Sequence, residues 1–294
     1  KNIINEDFFT VMLPDDIVFN RSPFLKDMIN SFEECKGCYV ALKKVADDIG
    51  AVIYEDAAHA FGASFPDGSK VGSCKYSDMT IFSFHPVKSI TTGEGGAITT
   101  NDKKIYEQLM RLRNHGLEKN QENFQLKNNS FTNDLNSPWY YEMQELGYNY
   151  RITDIQCALG ISQLTKLKKF IKRRNELASI YNSHFQEIDI CQTPQIQKKS
   201  QHAFHLYPLL IDFKKSRASK KILFKKMKNN NVNLQVHYIP IHLQPYYRKN
   251  YGFKKGDFPV AEKFYEKEIT LPIHFSLKEH QIYKIIKLIK KLIL

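Results

Sequence analysis

A short apolar run ending in two acids, Val52-Ile53-Tyr54-Glu55-Asp56, is the feature that most constrains this chain. The run has the length and composition of a buried strand, and small residues follow it at once: Ala57-Ala58-His59-Ala60. A second such run, 79–84, leads into His85-Pro86-Val87-Lys88, and then into the glycine-rich turn Gly93-Glu94-Gly95-Gly96. A third run covers 97–100. The spacing predicts helices over 39–49, with Gly50 at C′, and over 103–113. Strands alternating with helices predict an α/β layer with a largely parallel sheet. Ligands in such layers sit beyond the carboxyl ends of the strands, which is where Asp56 falls.

The second half changes character. Residues 120–137 are polar and Asn-rich, and predict a loop or lid. The pattern over 152–185 predicts a long helix, bent or broken. Strands are expected over 205–211 and 232–236, with helices over 216–229 and 261–267. The final helix, 277–294, places Ile282, Ile285, Ile286, Ile289 and Ile293 on one side and lysines on the other. This predicts three segments: an atypical stretch 1–36 with a turn at 13–16, a cofactor-binding layer 37–165, and a small C-terminal α+β domain 166–294.

Lys88 and Asp56 carry the chemistry. A lysine with the Ser83 hydroxyl five residues before it and a glycine turn after it can hold the aldehyde of pyridoxal phosphate as a Schiff base. A strand-end aspartate can keep the pyridine nitrogen of that cofactor protonated, so that the ring accepts electrons.

Composition narrows the partners. The 43 basic and 31 acidic side chains leave a net charge of +12. That charge favours an anionic substrate. No basic–aromatic module accompanies it, so nucleic-acid binding stays a remote alternative. No apolar run reaches the ~20 residues of a membrane span. The five cysteines, Cys35, Cys38, Cys74, Cys157 and Cys191, are odd in number, and no secretory signal opens the sequence. Reduced thiols and a cytoplasmic location are expected. Cys35-Lys36-Gly37-Cys38 lacks the second pair that tetrahedral zinc requires, so no metal is expected.

Six blocks together resemble the sugar aminotransferase family, which has the aspartate aminotransferase-type fold. They are Glu55–Ala60, Ser83–Lys88, Gly93–Gly96, Arg113-Asn114-His115-Gly116, 147–156 (Gly-Tyr-Asn-Tyr-Arg-Ile-Thr-Asp-Ile-Gln) and 236–242 (Val-His-Tyr-Ile-Pro-Ile-His). The run Pro138-Trp139-Tyr140-Tyr141-Glu142 through Gly147 is similar to members that aminate a UDP-4-keto-6-deoxyhexose on the way to pseudaminic acid.

The resemblance implies a fold type I, pyridoxal-phosphate-dependent enzyme. Glutamate would be its amino donor, and it would be a homodimer with a shared site. It assigns Lys88 and Asp56 to catalysis. Ala58, His59, Ser83 and a partner subunit's Asn149 would help hold the cofactor, and Arg151, His237 and Tyr238 would meet substrate. Family members also carry a glycine–threonine phosphate turn and a stacking aromatic ring before the acidic strand. Here 54 residues precede Glu55, no glycine occurs before Gly37, and neither feature is found. A fragment, a fused or miscalled gene product, or a deletion variant is expected, with weakened cofactor binding. A non-catalytic remnant, or a dimer partner of a full-length relative, is the alternative.

Overall fold

The computed structural model describes residues 11–12, 16–17, 46, 50–132 and 135–294. The turn expected at 13–16 (except Asp16), the Cys35/Cys38 pair, and the helix expected over 39–49 (except Ala46) lie outside the described residues. Ala46 is helical and buried. The Ala51 amide donates to the Ala46 carbonyl at 2.8 Å, and Gly50 has φ +68°. That six-to-one bond across a left-handed glycine is the Schellman ending expected at Gly50.

The first sheet contains β1 (Val11–Met12), β2 (Asp16–Ile17), β3 (Tyr54–Asp56), β4 (Met79–Ser83) and β5 (Gly96–Thr100), in the order β2-β1-β3-β4-β5. Residues 1–36 showed no periodicity, yet they supply two of its strands. β1 lies parallel to β3 and β2 turns back on β1. Two-residue strands are too short to display a period of two. β3 and β4 are parallel, whereas β5 returns antiparallel to β4. The sheet is therefore mixed rather than largely parallel at this edge. The 84–95 connection contains no helix, and a parallel return needs a crossover.

Helix α1 (Lys103–Leu112) starts at Asp102, whose carboxylate accepts from the Lys104 and Ile105 amides. The short strands β6 (Leu117–Glu118) and β9 (Glu142–Met143) pair with each other, and β7 (Phe131–Thr132) pairs with β8 (Leu135–Asn136). The polar 120–137 stretch is thus not a plain loop. It holds a hairpin and two 3-10 turns, at Gln121–Asn123 and Lys127–Ser130. Glu142 fastens it by accepting from the Gln125 and Leu126 amides at 2.7 and 2.8 Å.

The long helical pattern breaks at Thr165–Lys166 into α2 (Asp154–Leu164) and α3 (Leu167–Phe185). The Thr165 hydroxyl donates back to the Ser162 carbonyl at 2.8 Å, competing with the helix ladder. A Thr153–Gln156 capping box opens α2.

The main described core lies C-terminal to that break. An antiparallel sheet, β10 (Cys191–Gln192)–β11 (Tyr207–Ile211)–β12 (Glu268–Leu271), is covered by α3, α4 (Lys220–Asn229) and α7 (Glu279–Ile293). Between α4 and β12 run α5 (Pro245–Tyr251) and α6 (Pro259–Lys267). α7 buries the five isoleucines expected from its pattern. Residues 232–236 do not form the expected strand. Only Gln235 bridges β12, exchanging two backbone bonds with Thr270, while Val232 and Leu234 are buried as anchors. Asn231, at φ +60°, turns the chain just before this run.

Candidate active site

The parallel pairing of β3 with β4 sets Asp56 opposite Ile81, so Asp56 and Ser83 emerge at the same ends of neighbouring strands. This is the carboxyl edge at which α/β sheets bind ligands. The Asp56 carboxylate accepts from the Ala58 amide at 3.0 Å, which orients it past the strand end. The Ser83 hydroxyl accepts from the His85 amide at 3.4 Å. The loop carrying Lys88 is closed on itself: the Phe84 amide bonds to the Gly95 carbonyl, the Thr92 amide to the Phe84 carbonyl, and the Lys88 amide to the His85 carbonyl. Gly95 (φ +145°) and Gly96 make this closure possible. A Cβ on either would lie 2.6 Å from the Thr92 hydroxyl or the Phe82 carbonyl respectively.

The Lys88 ammonium is half-buried. Burial holds its pKa below the usual lysine value, and the Asp56 carboxylate opposes that shift. Three imidazoles surround this pair. His59 is pushed down to about 4, first by burial and then by the Lys88 and His237 charges, so it is neutral at pH 7. His237 is lowered by burial and then by the Lys88 charge, and His205 by burial and then by His59, Lys88, Arg174 and His237. The His59 and His205 rings lie 4.5 Å apart, and the His237 and Tyr238 rings 4.6 Å apart. Tyr238 is exposed. A neutral imidazole cluster beside one amine and one carboxylate can hold an aldehyde at the amine. It can also exchange a proton there without placing a competing cation in the site.

The pattern-based expectations had His205 as the first residue of a strand. It is instead a buried site residue ahead of β11, and its Nδ1 has no hydrogen-bond partner among the described residues. Arg174 of α3 fixes its backbone by donating to the carbonyls of Phe204, His205 and Ile273 at 2.9, 3.2 and 2.8 Å. No local pattern marks either residue. Arg174 stands in the apolar stripe of α3, and its partners are 30–99 positions away.

Asn149 and Arg151 are exposed, and no hydrogen bond or ion pair joins them to Lys88, Asp56 or Ser83 among the described residues. Their block packs instead on Arg113–Gly116. Arg151 donates to Asn114 Oδ1 at 2.6 Å, and the His115 amide bonds to the Tyr148 carbonyl at 2.8 Å. Gly116 and Gly147 touch so closely that a Cβ on Gly116 would meet the Glu145 carbonyl oxygen at 1.7 Å. Gln156 ties the block to the glycine turn by donating to the Glu94 carbonyl at 2.9 Å. Among the described residues no cluster of His, Cys, Asp and Glu could hold a metal, and no helix is long and apolar enough to cross a membrane.

The model of the DegT/DnrJ/EryC1/StrS aminotransferase family matches residues 39–290. The chain is 42% identical over 250 residues to an uncharacterized protein, MJ1066, of Methanocaldococcus jannaschii, covering 85% of this chain and 62% of that one. It is 35% identical over 245 residues to the UDP-4-amino-4,6-dideoxy-N-acetyl-beta-L-altrosamine transaminase of Campylobacter jejuni, covering 83% and 59%. Among solved structures it superposes on Helicobacter pylori PseC, an aminotransferase involved in pseudoaminic acid biosynthesis. The TM-score is 0.73 and the identity 30%, over 86% of this chain and 62% of that one. The chain thus spans about three-fifths of the length of the curated relatives it matches.

Proposed function

Because the chain belongs to the DegT/DnrJ/EryC1/StrS aminotransferase family, we propose that it acts in pyridoxal-phosphate-dependent transamination of a nucleotide sugar. The observation that carries this reading is the half-buried Lys88 amine, on the loop after β4, beside Asp56 at the end of β3 and ringed by neutral histidines. The donor set fits the cofactor: one amine for its aldehyde, one carboxylate for its ring nitrogen, and the Ser83 hydroxyl for its phosphate. His59 would serve its phenolic oxygen, and Ala58 would allow close approach of the ring. Bound there, pyridoxal phosphate supplies an electron sink for the carbanion formed at the amine-bearing carbon.

The protein's own steps follow from its side chains. Burial makes Lys88 easier to deprotonate, so its free amine could carry a proton to and from that carbon. Asp56 would keep the ring nitrogen charged. Neutral His59 adds no positive charge that would compete with it. Glutamate would give its amino group and leave as 2-oxoglutarate. The group would then replace the C4 carbonyl oxygen of a UDP-4-keto-6-deoxyhexose, in the pseudaminic acid route. The net charge of +12 favours such an anion.

Asn149 would reach the cofactor phosphate of a second copy, and Arg151 a substrate carboxylate. The exposure of both, beside exposed Tyr148, Tyr150, Ile155 and Ile161, supports a homodimer with a shared site. His237 and Tyr238 would meet the sugar. Residues 37–165 would form the cofactor-binding layer and 166–294 the small domain, working in the cytoplasm.

The test is a titration of the purified chain with pyridoxal phosphate, followed by glutamate and the keto sugar. A visible band from the Lys88 adduct and stoichiometric 2-oxoglutarate are expected. A chain that binds the cofactor only as free solution lysines do overturns the reading.

A further inference from the structure

His237 stands in front of two buried groups that the transamination reading leaves unused. Its Nδ1 lies 2.7 Å from the Thr270 hydroxyl oxygen. That hydroxyl in turn bonds to Glu268 Oε1, and Glu268 Oε2 accepts from the His237 amide at 3.1 Å. Glu268 is 0% exposed and Thr270 6%.

The proton count orders this chain. A threonine hydroxyl has one proton, and an ionised carboxylate has none to give. With Glu268 ionised, the Thr270 proton points at Glu268. Thr270 can then only accept from His237, so the imidazole proton sits on Nδ1. Which imidazole nitrogen carries the proton is set by the bond the other one makes. His237 Nε2 makes no hydrogen bond among the described residues, so it retains a lone pair.

We propose that Glu268 and Thr270 are positioning residues. Together they lock His237 in the Nδ1–H form and present Nε2 as an acceptor for a hydroxyl of the sugar bound near Lys88. The ligand class rests on the aminotransferase reading above; the tautomer does not.

The surroundings are consistent with the lock. Burial and the Lys88 charge lower the His237 pKa, which keeps the ring neutral. Burial raises the Glu268 pKa, while Thr270, the His237 amide and the nearby Lys220 of α4 oppose it. Lys220 itself donates to the Tyr265 carbonyl at the end of α6. On the site side the groups facing His237 are Lys88, His59, His205 and Tyr238. The relay can also run backwards. A protonated Glu268 would donate to Thr270, which would then donate to Nδ1 and move the ring proton to Nε2.

The experiment is long-range proton–nitrogen NMR of the full chain, labelled with 15N-histidine and held at pH 8 without cofactor. The His237 signals are identified by their loss in His237→Gln. The wild type should show Nδ1–H and a bare Nε2. Thr270→Val should move the proton to Nε2, the form free imidazole side chains favour, and Thr270→Ser should restore Nδ1–H. Glu268→Gln keeps the shape but offers an amide donor to Thr270, and should also give Nε2–H. An Nε2–H wild type, or Nδ1–H retained in Glu268→Gln, overturns the lock. The second variant serves if Thr270→Val does not fold.

In the loaded enzyme, His237→Phe, which removes Nε2 altogether, should raise KM for the sugar about tenfold, the worth of one hydrogen bond, with a smaller change in kcat. An unchanged KM overturns the ligand-facing role. Lys88 loading is read separately by visible absorbance. A locked tautomer without loading sinks the aminotransferase reading alone, and loading with the wrong tautomer sinks the lock alone.

Discussion

The region from α3 to α7 and the sheet that carries Lys88 solve different problems. In the first, Tyr181, Phe185, Tyr207, Leu209, Leu223, Met227, Ile269, Ile282 and Ile289 are all shut from water around one antiparallel sheet. Two of its buried hydroxyls are paired: Tyr181 donates to the Pro272 carbonyl, and Tyr207 to Asn182. In the second, Tyr54, Ile81 and Ile98 stay 44%, 39% and 44% exposed across three neighbouring strands. The chemistry gathers at that sheet's edge, on closed loops rather than in a filled core. Core packing and the Lys88 loop are thus separated along the chain, although His205 and His237 reach that site from the C-terminal region. The C-terminal region cannot lose volume cheaply, and the Lys88 region cannot lose functional groups.

That separation can be broken, and the largest expected effect comes first. Lys88→Ala should abolish both the cofactor's visible band and transamination. It should also leave the unfolding midpoint nearly unchanged, because a half-buried surface lysine supports no core. Borohydride reduction that labels another lysine would show the assignment to be wrong.

Asp56→Asn should depress turnover by orders of magnitude while cofactor binding partly survives, since only the ring's charge state changes. Turnover within twofold of wild type would remove the proposed role of Asp56.

Leu223→Ala tests the other region. It opens a cavity in a fully closed core and should cost roughly 2–5 kcal/mol in denaturant unfolding. Ile98→Ala, on the open sheet face, should cost under about 1 kcal/mol. Equal costs for the two would end the contrast.

A smaller effect is read by pH. His59 has a pKa of about 4 in the folded chain against 6.5 as a free side chain. Between those values the unfolded state binds the proton first, so the contribution of His59 is full above pH 6.5 and is lost as pH falls towards 4. His205 and His237, also lowered, act with the same sign. The raised carboxyls of Glu55 and Glu268 act with the opposite sign. His59→Gln should therefore flatten the fall of the unfolding midpoint between pH 6.5 and 4. An unchanged slope would mean that this ring is not desolvated in the folded state.

Much of this molecule was legible as pattern. Lys88, Asp56, Ser83 and the glycine turn stood out because strand ends, turns and reactive side chains lie within short runs. The α7 face stood out because isoleucines recur at helical spacing and lysines fill the rest. The caps at Asp102 and Thr153 are local chemistry of the same kind. Other features carry no local mark. β1 exists through pairing with β3, across a long separation in the chain, and β2 through pairing with β1. Residues 232–236 have the alternation of a strand but find a partner only at Gln235. Thr270 reads as an ordinary β-former and Glu268 as an ordinary surface acid. They become a relay only because β12 passes behind His237, 31–33 positions away. His205 joins His59 only because Arg174 holds its loop in place. Sequence alone determined which residues could react and which faces had to be buried, because period, capping and turn chemistry act over a few residues. Tertiary structure decided which nitrogen meets which hydroxyl, because those bonds join segments that only packing brings together.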